Sequence, residues 1–339
     1  MVFGEKQKKR QLLSACEHGR IEEVRKILTN PKINSNCRNE NGEVPLHFAS
    51  WKGHTEIVKL LLDHKMIEIN QGLRTGETSL YLACEKGCIE VVKLLLNDKR
   101  IEVNKTKDIG ISPFYIACEA GQIEVIKLLL NDERVDVNRE RDIGSTPFYI
   151  ACQKGHLDIV KLLLSDERID VNRPDNYAYT PFHFACWRGH LEIIKLLLND
   201  KRVKINYSTD FGATPFHLAC HNGHIEIVKL LLHDERVDTN KADNNDLTPL
   251  HIASFKEHFD VVKYLLAFGR EIDVTTEDIH GETPIACVRL KGNESIVELL
   301  ESFQKNPIEV KRKLREYFDV LGNFILFYSF FLLFYQFNK

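Results

Sequence analysis

The sequence predicts an all-α repeat protein, a solenoid of stacked helix-turn-helix units joined by hairpin loops. Three observations carry that prediction: one block of residues recurs at a fixed period, each block holds two helix-like stretches, and the second stretch is too apolar to be covered from one side only. The alanine at the centre of the block falls at Ala15, Ala49, Ala83, Ala117, Ala151, Ala185, Ala219 and Ala253, with neighbours 34 residues apart throughout. Self-similarity at such a period means units that bury their faces against their neighbours. A chain of 339 residues exceeds one ordinary core, and an elongated array accounts for it. Hydrophobic content of 43% beside 28% charged residues is that of a folded body, which excludes wholesale disorder.

One unit, taken in chain order, runs Thr146-Pro147-Phe148-Tyr149-Ile150-Ala151-Cys152, then Gly155-His156, then Ile159-Val160-Lys161-Leu162-Leu163-Leu164, then Val171-Asn172. Thr-Pro starts the first helix: the hydroxyl caps free backbone amides, and proline loses no bond at the first helical position. Glycine ends it, at Gly53, Gly87, Gly121, Gly155, Gly189 and Gly223. In the second helix Ile193, Ile194, Leu196, Leu197 and Leu198 occupy too wide an arc for one face, so adjacent units must supply the cover. Residues such as Asn172 to Tyr179, rich in Asn, Asp and Pro, then form an extended hairpin turn.

These residues resemble the ankyrin repeat, in the Thr-Pro-Leu-His-x-Ala run, the Gly-His and the Ile-Val-Lys-Leu-Leu-Leu helix. The resemblance covers residues 6–305 and implies an ankyrin solenoid that binds another protein. The family's usual period is one residue shorter. The additional residue lies after the second helix, in segments such as Asn131-Asp132-Glu133-Arg134 and Ser165-Asp166-Glu167-Arg168, where a longer loop is expected.

Departures mark the ends. Residues 1–5 are an N-terminal tail and about 6–36 an N-terminal cap, which keeps Ala15, Gly19 and Ile27-Leu28 but exposes Lys8, Lys9, Arg10 and Gln11. Internal units fill about 37–274. Residues 275–305 form the C-terminal cap, where Thr283-Pro284 is followed by Val288 in the alanine's place. Inside the array, Ala178 and Asp246 replace a hairpin glycine and Glu257 a helix-ending one, so geometry is least secure there.

Chemistry of a catalytic kind is not expected, and no cofactor or metal is assigned. Six of the nine cysteines (Cys16, Cys84, Cys118, Cys152, Cys186, Cys220) share one repeat position. Equivalent atoms of stacked helices lie roughly 8–10 Å apart, beyond the ~7 Å reach of a disulfide, so they read as reduced packing residues. His47, His183, His217 and His251 share another position, where Tyr81, Tyr115 and Tyr149 substitute for them; a catalytic or metal-binding histidine would not exchange with tyrosine. There is no metalloprotease, phosphate-loop, dinucleotide, nucleophile-elbow or kinase signature. A net charge of −3 gives no basic field for nucleic acid.

The resemblance places the hairpin tips and the first helices on one concave side, where a protein partner binds. The positions freest to vary are the second and third after the alanine, and both tryptophans fall there. The expected interface residues are Trp51, Lys52, Tyr177, Tyr179, Trp187, Arg188, Tyr207, Phe211, His221 and Phe255, with the cluster from Tyr177 to His221 in adjacent units. The protein reads as a monomeric scaffold or adaptor. The alternative is a recognition or regulatory subunit of an enzyme complex, held at a membrane by its tail.

After the array, 306–319 reads as a basic helix opened by Asn306-Pro307 and carrying Lys311, Arg312, Lys313 and Arg315. Residues 320–339 are hydrophobic and aromatic. Val320 to Phe337 would extend roughly 27 Å as a helix, just short of a ~30 Å hydrocarbon core. Two readings stay open: a membrane anchor that leaves the repeats in the cytosol, since the basic residues precede it, or an apolar segment packed on the last repeats or lying at an interface. The opening residues lack a secretory pattern, so a cytoplasmic setting is expected.

Overall fold

The computed structural model describes residues 2–30, 33–270 and 272–319, so the aromatic tail expected as an anchor (320–339) lies outside the described residues. The chain divides between Asn176 and Tyr177 into two compact units. The first holds α1 (Val2–Glu17), α2 (Ile21–Leu28), α3 (Pro45–Lys52), α4 (Thr55–Leu62), α5 (Ser79–Lys86), α6 (Ile89–Asn97), α7 (Pro113–Glu119), α8 (Ile123–Leu130), α9 (Pro147–Lys154) and α10 (Leu157–Leu164). The second holds α11 (Pro181–Arg188), α12 (Leu191–Asn199), α13 (Pro215–His221), α14 (Ile225–His233), α15 (Pro249–Phe255), α16 (Phe259–Phe268), α17 (Pro284–Arg289) and α18 (Glu294–Lys305), followed by a helical stretch at 307–319. Helix α1 starts inside the segment expected as an N-terminal tail.

Within each unit the helices form two layers. First helices stack on first helices, α1 to α3 to α5 to α7 to α9 and α11 to α13 to α15 to α17, and second helices stack likewise behind them. The hairpins contain no strands among the described residues, only an isolated antiparallel bridge between Gly72 and Thr78.

Local chemistry explains why the chain breaks where it does. The Thr78, Ser112, Thr146, Thr180, Thr214, Thr248 and Thr283 hydroxyls each accept the amide three residues on, capping a first helix. Gly189 ends α11 with φ +82°, and a Cβ there would stand 2.9 Å from the His224 ring. At the three positions without glycine the backbone keeps the left-handed conformation: Ala178 has φ 62°, Asp246 57° and Glu257 61°. The unit geometry is therefore retained there at the steric expense of a Cβ in the left-handed region.

Phenylalanines following the proline (Phe114, Phe148, Phe182, Phe216) and the second-helix triplets such as Ile193, Ile194 and Leu197 are fully or nearly fully buried. The shared-position cysteines are buried and unpaired, and burial lifts their thiol pKa values well above the ordinary range. They pack as small apolar side chains.

Three polar ladders join one repeat to the next. Asn104 donates Nδ2–H to Arg134 O (2.7 Å) and accepts the Asp136 amide (2.8 Å); Asn70, Asn138 and Asn206 repeat both bonds. In the loop holding the additional residue, Asp166 accepts the Arg168 amide (3.0 Å) and pairs with its guanidinium, which also donates to Leu130 O (2.8 Å), the last carbonyl of α8. Arg134 and Arg236 make the same reach, to Leu96 and Leu198. A cation thus sits on the negative end of the preceding second helix. The third ladder serves the first helices: His156 and His224 donate Nε2–H to Glu119 O (3.0 Å) and Trp187 O (2.8 Å). The expected longer loop is consequently an ordered staple.

At the end of the array the 307–319 stretch packs on α16. Phe318 meets Tyr264 edge-on with centroids 5.0 Å apart, and Arg315 donates to Ala267 O (2.8 Å), supplying the carbonyl cap that a following repeat would have given.

Candidate functional site

The hairpin and first-helix face of the second unit carries a continuous group of aromatic rings. Tyr179 leaves the hairpin just before the Thr180 cap, and Phe184 and Trp187 lie one turn apart on α11. Trp187 stacks on Phe184 (5.4 Å, 24°) and tilts against Tyr179 (6.0 Å), while Tyr179 also meets Phe184 edge-on (5.5 Å). Trp187 nevertheless stays 37% exposed. It is held from below by ring contacts and from behind by its carbonyl, which accepts from His224.

Tyr207, from the next hairpin, reaches the same group through His183 (6.4 Å, near-perpendicular), with Lys204 over its ring. Tyr177 and Phe211 are hairpin tips, 59% and 57% exposed, linked through the Asp210 amide to Tyr177 O (3.2 Å). Ile109 and Ile143 occupy the corresponding tips of the first unit, and both are exposed. The sequence-based selection missed these isoleucines, although their 34-residue spacing from Tyr177 and Phe211 could have found the tips at Ile109, Ile143, Tyr177 and Phe211. It missed Phe184 as well, because that position reads as core and only the fold turns its ring under Trp187.

The remaining selected residues sit on neighbouring helices. His221 is half-buried at the end of α13, its pKa lowered by burial and by Lys256, and its carbonyl accepts from His258 (2.9 Å). Phe255, at the end of α15, is 43% exposed with the Lys291 ammonium 4.3 Å from its centroid. Arg188 is exposed and makes no hydrogen bond or ion pair among the described residues. Trp51 and Lys52 belong to the first unit, where Lys52 (4.3 Å) and Lys86 (5.2 Å) both stand over the indole.

The candidate histidines occupy structural positions. His183 Nδ1 receives the Thr180 hydroxyl (2.8 Å) and amide (3.1 Å), which leaves the proton on Nε2 to reach Ala213 O (3.2 Å). His217 and His251 repeat that arrangement, to Leu247 and Glu282. Burial holds His183 near pKa 4, so it is neutral at pH 7. Where tyrosine stands instead, its hydroxyl makes the corresponding link, Tyr115 to Ser145 (3.1 Å) and Tyr149 to Asp175 (2.8 Å). Among the described residues no group of His, Cys, Asp or Glu side chains could hold a metal ion.

A family model described as ankyrin repeats matches the chain in three copies, over residues 12–107, 114–209 and 182–278. No curated protein matches it.

Proposed function

The chain belongs to the ankyrin-repeat family, and from that premise we propose that it is a protein-interaction scaffold without catalysis of its own, its partner seated on the aromatic face around Trp187. Ankyrin repeats are generally protein-interaction modules. The observation that carries the reading is the state of Trp187: a large ring braced by Phe184 and Tyr179 yet more than a third exposed, beside the unpaired Arg188. A pre-positioned aromatic beside an arginine is the usual composition of an interface anchor, since little side-chain entropy is lost on binding. The bland use of the same rings, packing between hairpins, would have buried Trp187.

The test is selection of peptides from a random display library on the full chain and on a Trp187→Ala/Tyr179→Ala double variant of equal thermal midpoint. Ligands retained by the wild type and lost by the variant support the reading. Ligands that bind both equally sink it.

A cytosolic setting, with the array held at a membrane by 320–339, is the second part of the proposal and rests on the composition of that segment. Among the described residues no helix is long and apolar enough to cross a membrane. Flotation of the full chain with liposomes, lost on removal of 320–339, would support attachment; unchanged flotation would remove it.

A further inference from the structure

We infer that the partner segment seated on the second unit is an extended, acidic peptide whose carboxylates recur at the spacing of the repeats. This rests on the docking face proposed above and adds the chemistry of its occupant. Two columns of side chains run along the ends of the first helices. One is Trp187, His221, Phe255 and Leu290; the other is Arg188, Asn222, Lys256 and Lys291. Neither contains a carboxylate. The equivalent columns of the first unit do, at Glu17, Glu85 and Glu119, and there Glu119 pairs with Lys154 (3.4 Å).

The cations of the second column are uncommitted. Arg188, Lys256 and Lys291 are exposed and form no ion pair among the described residues, while Lys291 rests only on the Phe255 ring. Nearby hairpin carboxylates do not neutralise them: Asp243 and Asp278 are turned into their own loops, accepting the Leu247 (3.0 Å) and Glu282 (2.9 Å) amides. Asp210 and Asp246 stand exposed at the tips, which repels acid there and turns the acidic edge of a ligand toward the helix ends. An apolar column beside a cationic one matches a strand-like segment with alternate apolar and acidic side chains.

The repeat also sets the register. Adjacent helices stand roughly 8–10 Å apart and an extended chain advances about 3.3–3.6 Å per residue, so one repeat corresponds to about two to three residues. Arg188 and Lys256 are two repeats apart and Lys291 follows one later. Side chains of an extended chain share a face only at even spacings, so carboxylates about four to six residues apart, followed by one about two residues further on, would meet all three.

Synthetic peptides with that glutamate spacing and an aromatic anchor, labelled for fluorescence anisotropy, test this on the full chain. The spaced acidic peptide should bind roughly tenfold or more tightly than a lysine version or a respaced one of equal composition, and lose most of that margin at high salt. Arg188→Glu and Lys256→Glu should each weaken it roughly tenfold, while Lys195→Glu on the outer helix α12 leaves it unchanged. Equal binding of the lysine or respaced peptides, no response to charge reversal, or no binding of the spaced peptide overturns the inference. If display selection yields Trp187-dependent peptides that are not acidic, this inference fails while the docking face stands; if it yields none, the face itself fails.

Discussion

His183 illustrates how a residue that looks chemical is structural. Its Nδ1 accepts from Thr180 and its Nε2–H reaches the next hairpin, so a second proton breaks the cap, and burial opposes that proton. Because the folded pKa, about 4, lies below the ordinary 6.5, its contribution is complete above pH 6.5 and is lost as pH falls toward 4, in all on the order of 3 kcal/mol. His47, His217 and His251 are shifted the same way by burial. His183→Tyr, the residue that other repeats carry there, should therefore flatten the fall in urea midpoint between pH 7 and 5; an unchanged fall would refute this role. At Ala178 and Glu257 the left-handed backbone bears a Cβ, and replacing either by glycine should raise stability by about 1 kcal/mol by thermal or urea unfolding. The threonine caps, the glycine replacements and the non-catalytic character of the histidines were readable in the sequence from local spacing, whereas the bond from His183 to Ala213 was not.

Many elements are closed by their neighbours: the second helices α4, α6, α8 and α12 end against an arginine of the following repeat, and the first helices α1, α3, α5, α7, α11 and α13 against a histidine or its substitute. The additional residue per repeat earns its place here, since it lets Asp166 fold the loop and aim Arg168 at Leu130. Arg168→Lys keeps the charge but cannot grip a carboxylate and a carbonyl together, so a loss of about 1 kcal/mol is expected in urea unfolding, with no loss counting against the staple. The Arg168 guanidinium holds the Asp166 carboxyl below its usual pKa, so that part of the stability is present above about pH 4 and disappears below it, a window distinct from the histidines'. None of this was legible beforehand. The recurrence of Asn70, Asn104 and Asn138 was in view, but bonds spanning 30 to 38 residues exist only once repeats are stacked.

For the whole molecule, stability should behave as a chain of nearest-neighbour interfaces, so the ends govern fraying. Arg315 and Phe318 close the C-terminal end on α16, a contact the sequence could not suggest because their role as a basic, partly apolar segment fitted a membrane approach equally well. Arg315→Ala/Phe318→Ala should raise hydrogen exchange in α16 and α18 and leave α11 and α12 unaffected; a uniform rise would contradict nearest-neighbour behaviour. The fold was legible because the repeat prints it many times over, whereas the face was legible only in part: variable positions exposed Trp187 and Tyr177, but the floor under Trp187 required Phe184 in place. The central claim, that this face seats the partner, is tested most directly by tryptophan fluorescence. With Trp51→Phe, Trp187 is the only indole left of the two. Adding a peptide selected on the wild-type chain should shift its emission to the blue and protect it from acrylamide; saturated binding with emission and quenching unchanged would contradict the account.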